Sequence, residues 1–400
     1  MVIRKYILIE NNNLIGKIYL LIFCIEQGQL YFTDTWEQRK LGEVLKVNSG
    51  KDYKHLNTGN IPVYGTGGYM LSVDESLSEV DAIGIGRKGT IDKPQLLSAP
   101  FWTVDTLFFM TPLQSNVLLF LYALSQNIEW AKMDESTGVP SLSKMNIENV
   151  DVNISEPDEQ AAIGTFFRTL DDIIALHQRK LDGLKELKQG YLQQMLPQAG
   201  ECVPRVRFAG FDAVWEARKL GEVADIVGGG TPDTTNPDYW DGVIDWYSPV
   251  EIGEQIHVNG SKKKITTLGL QKSSAKVLPI GTVLFTSRAG IGNTAILSKE
   301  GATNQGFQSI VPYNNELDTY FIYSRSCELK RYGETNGAGS TFVEVSGKQM
   351  SQMPIFIPTL TEQIAIGNFF RNIDEQIIAQ QNRLKQLKQL KSAYLQKMFV

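Results

Sequence analysis

Apolar residues follow two different rhythms along this chain. Over residues 157–197 and again over 360–400 they return at helical spacing. Phe167, Leu170, Ile174, Leu181, Leu184, Tyr191 and Met195 form a seven-residue seam, and Phe370, Ile373, Ile377, Leu384, Leu387, Tyr394 and Met398 form a second. Neither stretch has an internal proline. Pro157 and Asp158 open the first and Thr361 stands at the start of the second, all suited to a helix's first turn. Each helix of 37 residues extends about 55 Å. His177 and Gln380 interrupt the seams at matching places, as do Lys188 and Lys391. Polar residues at seam positions fix register and partner number at some cost in stability, so the pattern predicts a two-helix coiled coil. The remaining chain is patterned as short strands and turns, with strand chemistry over 60–69, 82–86 and 281–286. Val117 to Ile128 and Thr319 to Arg325 are the apolar helix candidates there. Each of these parts holds 120–145 residues, enough for one core. The order is therefore globular, helix, globular, helix, a mixed α+β chain.

The two halves are copies in their frames. Trp36-Glu37-Gln38-Arg39-Lys40-Leu41-Gly42-Glu43-Val44 returns as Trp215-Glu216-Ala217-Arg218-Lys219-Leu220-Gly221-Glu222-Val223. Residues 159–195 align without gaps onto 362–398 with 20 of 37 positions identical. The offset grows from 179 to 203 between the two matches, so the second copy holds 24 additional residues. Between the shared ends the copies barely resemble each other. A duplicated frame enclosing divergent contents fixes the architecture.

Charge and composition narrow the chemistry. The net charge is −5, with 39 Lys and Arg against 44 Asp and Glu. Residues 36–156 carry 10 basic and 15 acidic groups and 215–359 carry 13 and 15; the stretch 360–400 is basic, with 6 against 3. Affinity for DNA without regard to sequence comes from neutralising phosphates, so any such contact here relies on local patches and on a partner. Three cysteines and three histidines make neither a disulfide framework nor a multi-histidine metal centre, and the reducing cytoplasm is the expected compartment. The apolar stretch from Leu14 to Ile25 is twelve residues long and interrupted by Lys17, too short to span a bilayer, and no small-x-small cleavage site follows it.

Catalytic motifs fail on context. Gly84-Ile85-Gly86-Arg87-Lys88-Gly89 fits a dinucleotide-binding turn, but Pro94 forbids the helix that would hold the pyrophosphate. Asn236-Pro237-Asp238-Tyr239 resembles the Asn-Pro-Pro-Tyr of adenine methyltransferases, yet Asp238 replaces a proline and no glycine-rich methyl-donor site accompanies it. No phosphate loop, zinc-protease signature or nucleophile elbow is present, and the chain reads as non-catalytic. What it offers is polar groups on turns. Arg87-Lys88-Gly89-Thr90 matches Arg288-Ala289-Gly290-Ile291 in position and style, each arginine following a short apolar strand. Such an arginine reaches a guanine edge or a phosphate. Lys262, Lys263 and Lys264 suit phosphates, and Thr66, Tyr69, Gln305 and Gln308 add polar contacts.

The repeated Trp-Glu-x-Arg-Lys-Leu-Gly-Glu-Val opening and the Glu-Gln-x-Ala-Ile-Gly-x-Phe-Phe-Arg helix start resemble those of the specificity subunits of type I restriction-modification enzymes, over residues 32–400. The resemblance implies two target-recognition domains, 32–156 and 215–359, each followed by a spacer helix, 157–197 and 360–400, with a linker at 198–214. It implies that the helices pack antiparallel with pseudo-twofold symmetry and set an unread gap between two half-sites of double-stranded DNA. By the same resemblance this chain binds no cofactor. Two modification subunits use S-adenosylmethionine to methylate adenine, and restriction subunits use ATP and Mg to translocate and cleave. Residues 1–31 fall outside the repeat, because Phe32 alone answers the Arg205-Val206-Arg207-Phe208 that precedes the second half. A helical adaptor whose globular parts bind proteins is the rival reading.

Overall fold

A computed structural model of the chain describes residues 36–198, 201–253, 255–288, 290–338 and 344–399. The stretch Leu14 to Ile25 and the extension 1–31 lie outside the described residues. The described residues form two compact units, one running to Arg179 and resuming from Gln380, and one running from Lys180 to Ala379. The division passes through both long helices.

In the first unit β1 (Glu37–Lys40), α1 (Leu41–Val44) and β2 (Leu45–Ser49) lead into β3 (Thr58–Gly65), β4 (Gly68–Val73), β5 (Ala82–Gly86), β6 (Gln95–Leu97), β7 (Trp102–Thr103) and β8 (Leu107–Pro112). Then come α2 (Leu118–Asn127), α3 (Lys144–Glu148), β9 (Asp151–Ile154) and the long α4 (Pro157–Met195). Strands order as β2-β8-β5-β6 in an antiparallel sheet and as β4-β3-β7 in a smaller one. Alternation along β8 divides its side chains: Phe108 and Met110 join the core against α2 and α4, while Leu107 and Phe109 join the core beneath the smaller sheet. Beside these sheets, β1 pairs antiparallel with β9, Glu37 opposite Ile154, and so closes the two ends of the globular part on each other.

The second unit repeats this plan with β10 (Glu216–Lys219), α5 (Leu220–Val223), β11 (Ala224–Gly228), β12 (Trp240–Tyr247), β13 (His257–Val258) and β14 (Lys263–Ile265). After α6 (Thr267–Gln271) follow β15 (Val283–Phe285), β16 (Thr294–Leu297), β17 (Ala302–Thr303) and β18 (Gln308–Pro312). It ends with α7 (Thr319–Ser324), α8 (Ser326–Asn336), α9 (Gly347–Ser351), β19 (Pro354–Ile357) and α10 (Leu360–Met398). The sheets order as β11-β18-β15-β16-β13 and β14-β12-β17, and β10 pairs with β19 as β1 does with β9.

Strand register aligns what the sequences do not. Ile83 faces Met110, which faces Val47, just as Val283 faces Ile310, which faces Ile226. Tyr64 pairs with Thr103 as Tyr247 pairs with Thr303. The offset between the copies is thus 183 at Tyr64 and 200 at Ile83, so 17 of the 24 additional residues fall in this interval, where β13 lies. The added strand runs parallel to β16 and extends the larger sheet.

The repeated motifs are contacts of the frame. Gln160 accepts from the Val117 N–H at 2.9 Å and donates to the Ser155 carbonyl at 2.7 Å; Gln363 accepts from the Asp318 N–H at 3.0 Å and donates to the Pro358 carbonyl at 3.0 Å. The bonds from Val117 and Asp318 tie the start of each long helix to the N-cap of the shorter helix beside it. Gly164 and Gly367 permit that crossing: a methyl on either would lie 2.6 Å from the Phe120 nitrogen or 2.5 Å from Asp318 Oδ1.

Inside each unit the long helices pair antiparallel. In the first, Phe166 meets Tyr394 edge-on at 5.3 Å, Lys391 binds Asp171 at 2.5 Å, and His177 shares a 2.7 Å hydrogen bond with Gln380. In the second, Tyr191 meets Phe369 at 4.9 Å and Lys188 binds the buried Asp374 at 2.6 Å, which also accepts from the Tyr320 hydroxyl at 2.9 Å. The residues that interrupt the seams in sequence are therefore partnered across it. Phe167, Leu170, Leu181, Phe370, Ile373, Leu384, Leu387 and Tyr394 are buried, and Ile174, Leu184, Tyr191 and Ile377 are half-buried. No helix among the described residues is long and apolar enough to cross a membrane.

Candidate nucleic-acid interface

In the first unit the candidate groups converge on the turns at one edge of the sheets. The β3–β4 hairpin closes through Gly65 opposite Gly68, and Gln95 Nε2 holds its turn by donating to the Gly65 and Thr66 carbonyls, both at 3.1 Å. Tyr69, 63% exposed, stands edge-on to Tyr64 and shares a hydrogen bond with Ser72 at 3.1 Å. Across from it the β7–β8 turn is closed by the Leu107 N–H donating to Val104 O at 3.0 Å. These elements enclose a concavity of about 670 Å³ lined by Asp52, Lys54, Thr66, Tyr69, Asp105 and Thr106, among others. Arg87 leaves β5 beside it, because its N–H donates to Thr106 O at 2.8 Å. Its guanidinium lies 5.8 Å from the Phe108 ring centre, and both it and Lys88 are exposed. Thr90 is half-buried, and its carbonyl packs on Gly86.

The second unit corrects the pairing expected of Arg87 with Arg288. Ser287, not Arg288, donates its N–H to Gly306 O at 2.8 Å, and its carbonyl accepts from Val345 at 3.1 Å as Arg87's accepts from Leu142 at 3.0 Å. The arginines are one residue out of step: Arg288 corresponds to Lys88, and Arg87 to the buried Ser287. Consecutive residues of a strand point to opposite faces, so a one-residue shift changes the direction of the side chain. Arg288 lies 3.8 Å from Glu344 and close to Gly306. The exposed Gln305 is on that same turn and accepts a hydrogen bond from the Thr231 hydroxyl.

Two expected contacts are engaged elsewhere. Gln308 is half-buried on β18, its amide oxygen against Gly347 and Gly228, which places it in the frame rather than with Gln305. Lys264 faces Asp245 at 3.5 Å. Asp245 is fully buried, which by itself disfavours its charge. The Lys299 ammonium at 2.7 Å, the Ser261 N–H and the charge of Lys264 reverse that, and its carboxyl titrates below the ordinary range. The neighbouring Tyr247 hydroxyl is pushed up to about 12, first by burial and then by the Asp245 and Glu251 carboxylates. Lys263 stands 5.5 Å from the Trp240 ring centre, and Lys262 is exposed with its N–H donating to Glu251 at 2.7 Å. Lys262 and Lys263 thus keep their ammonium groups at the surface.

Sequence reasoning overlooked Asp52 and Asp105. Single carboxylates on turns are ordinary in any sequence, and only the strand register shows that Asp105 corresponds to Gln305. Among the described residues no group of three or more His, Cys, Asp or Glu side chains is placed to hold a metal ion.

A duplicated α+β chain with two strand-closed frames, divergent loops and paired long helices is the class of protein that the geometry defines. The chain belongs to the type I restriction modification DNA specificity domain family, whose profile matches residues 33–186 and 213–389. It is similar to the type I restriction enzyme MjaIX specificity subunit of Methanocaldococcus jannaschii, at 32% identity over 43% of this chain and 40% of that one. It is also similar to the EcoR124I/EcoR124II specificity subunit of Escherichia coli, at 26% over 40% and 41%. The matches therefore span about two fifths of the length of these relatives. The fold is that of the S subunit of a type I restriction-modification system from M. genitalium, with a TM-score of 0.67 and 15% identity over 93% of this chain and 98% of that one.

Proposed function

We propose that this chain is the DNA-recognition subunit of a type I restriction-modification complex, reading a bipartite target and directing adenine methylation and cleavage by its partners. The observation that carries this reading is the doubled frame: identical motifs hold two sheets of the same register while the turns at their edges carry different chemistry. A protein that reads two unlike half-sites on duplex DNA needs constant scaffolds and variable edges. Residues 32–156 and 215–359 act as the readers, and the long helices set the gap between the half-sites. Base and phosphate contacts fall to Thr66, Tyr69, Arg87 and Lys88 in one reader and to Lys262, Lys263, Arg288 and Gln305 in the other. The acidic net charge assigns much of the phosphate neutralisation to two modification subunits. S-adenosylmethionine, ATP and Mg belong to those partners and to the restriction subunits, and this chain has no catalytic role.

The test is to reconstitute the chain with methyltransferase partners and map methylated adenines. One split recognition sequence is expected. Stoichiometric binding of S-adenosylmethionine by the chain alone, or methylation at unrelated sequences, would refute the reading.

A further inference from the structure

The turn that follows β7 in the first unit and β17 in the second has one backbone and two chemistries. Val104 and Asn304 donate their N–H groups to Tyr64 and Tyr247, at 3.1 and 3.0 Å. Thr106 and Gly306 accept from the residues leaving β5 and β15, both at 2.8 Å. Between these fixed points stand Asp105 and Gln305, both exposed. A second pair of positions neighbours them. Lys51 and Gly230 donate to Thr103 and Thr303 at 2.9 and 2.8 Å, and the next residues are Asp52 and Thr231. Asp52 lines the same concavity as Asp105, and Thr231 donates directly to Gln305.

We propose that Asp105 and Gln305 are corresponding base-reading residues, Asp105 accepting from the amino group of a cytosine in one half-site and Gln305 pairing with an adenine in the other. The inference rests on the reading of both units as DNA readers and specifies which atoms they read. An ionised carboxylate only accepts, and in the major groove the matching donor of cytosine is its exocyclic amino group. A carboxylate facing only acceptors is repelled, so Asp105 and Asp52 discriminate against guanine and thymine, and against adenine through the N7 acceptor beside its amino group. Arg87 and Lys88 beside them offset the repulsion at the backbone. A glutamine amide both donates and accepts, which matches the adjacent acceptor and donor of adenine. The Thr231 hydroxyl occupies one lone pair of the Gln305 oxygen and orients the amide plane, leaving the second lone pair and the amino group for the base.

The experiment exchanges the two chemistries in the full complex with its methyltransferase partners. Asp105→Gln and Gln305→Asp are made separately, and methylated adenines are mapped. Asp105→Gln is expected to change one position of one half-site from cytosine to adenine, shifting relative methylation on the order of 10- to 100-fold. Gln305→Asp should produce the converse change in the other half-site, and Thr231→Ala should weaken discrimination at that position alone. The near-isosteric Asp105→Asn should relax the same position that Asp105→Gln alters. A variant that no longer supports methylation is read by its binding to duplexes substituted one base pair at a time. Unchanged base preference in the exchange variants overturns the proposal, as does a change in both half-sites at once. Failure of the unsubstituted complex to methylate any split site removes the wider reading instead, and is seen before any residue is exchanged.

Discussion

Asp245 illustrates how single residues support the second unit from within its core. It is a buried carboxylate held ionised by Lys299, Lys264 and Ser261. Lys299→Met should lower stability by about 1–3 kcal/mol, because it removes one partner of a buried charge, a loss measurable by urea unfolding. Its folded-state carboxyl titrates below its usual 3.8. The stability it contributes is therefore fully present above that pH and is lost as the pH falls through the lower, folded value. The difference in Tm between the protein and Asp245→Asn should accordingly shrink as the pH is taken from 6 to below about 4. Arg87 in the first unit and Arg288 in the second are the proposed arginine contacts. Arg87→Ala should weaken binding by about 1–3 kcal/mol if it holds a base edge, with selectivity relaxed in one half-site, and Arg288→Ala should do so in the other. Normal affinity for all duplexes in both variants would remove the arginines from the interface.

At the scale of elements, the glycines of α4 divide into two kinds. A methyl at Gly164 meets the Phe120 backbone, whereas Gly183 and Gly190 have nothing within 4 Å. Alanine favours a helix over glycine by about 1 kcal/mol. Gly183→Ala and Gly190→Ala should therefore raise Tm, while Gly164→Ala should lower it by forcing the helices apart, a cost of about 1–3 kcal/mol. The same contrast explains what was legible in the sequence. The motifs containing Gln160 and Gln363, or Gly164 and Gly367, repeat because identical backbone contacts constrain them, so the long helices and the duplicated order could be read directly. Side chains on the turns at the sheet edges obey no such constraint. Sequence alone pairs the arginines one residue out of step because two divergent segments give no internal landmark, and only hydrogen bonds to Thr106 and Gly306 supply one. Gln308 illustrates a related limit: its strand position decides whether it faces the frame or the edge, and composition carries no trace of that choice.

For the whole molecule, the proposed ruler makes a quantitative prediction. The boundary between the units falls between Arg179 and Lys180 and between Ala379 and Gln380. Inserting one heptad at both places leaves every contact within each unit intact and adds about 10.5 Å of helix. At ~3.4 Å per base pair, the unread gap should widen by about three base pairs with both half-sites unchanged. Mapping methylated adenines for this variant checks it, and an unchanged gap would exclude the helices as the spacer.

The unequal continuity of the two units also bears on how the chain is made. The second unit is one unbroken segment, residues 180–379, whereas the first draws on residues 380–400. Leu387 and Tyr394 belong to its core, and Phe399 stacks there on Phe167, meets Trp36 edge-on and lies tilted to Phe120. On a ribosome the half synthesised first is therefore the last to be completed. Until the final turns of α10 emerge, the apolar face of α4 in the first unit stays uncovered, open to chaperones and to proteases. A chain truncated after residue 379 and released from the ribosome should carry a protease-resistant second unit beside a sensitive first one.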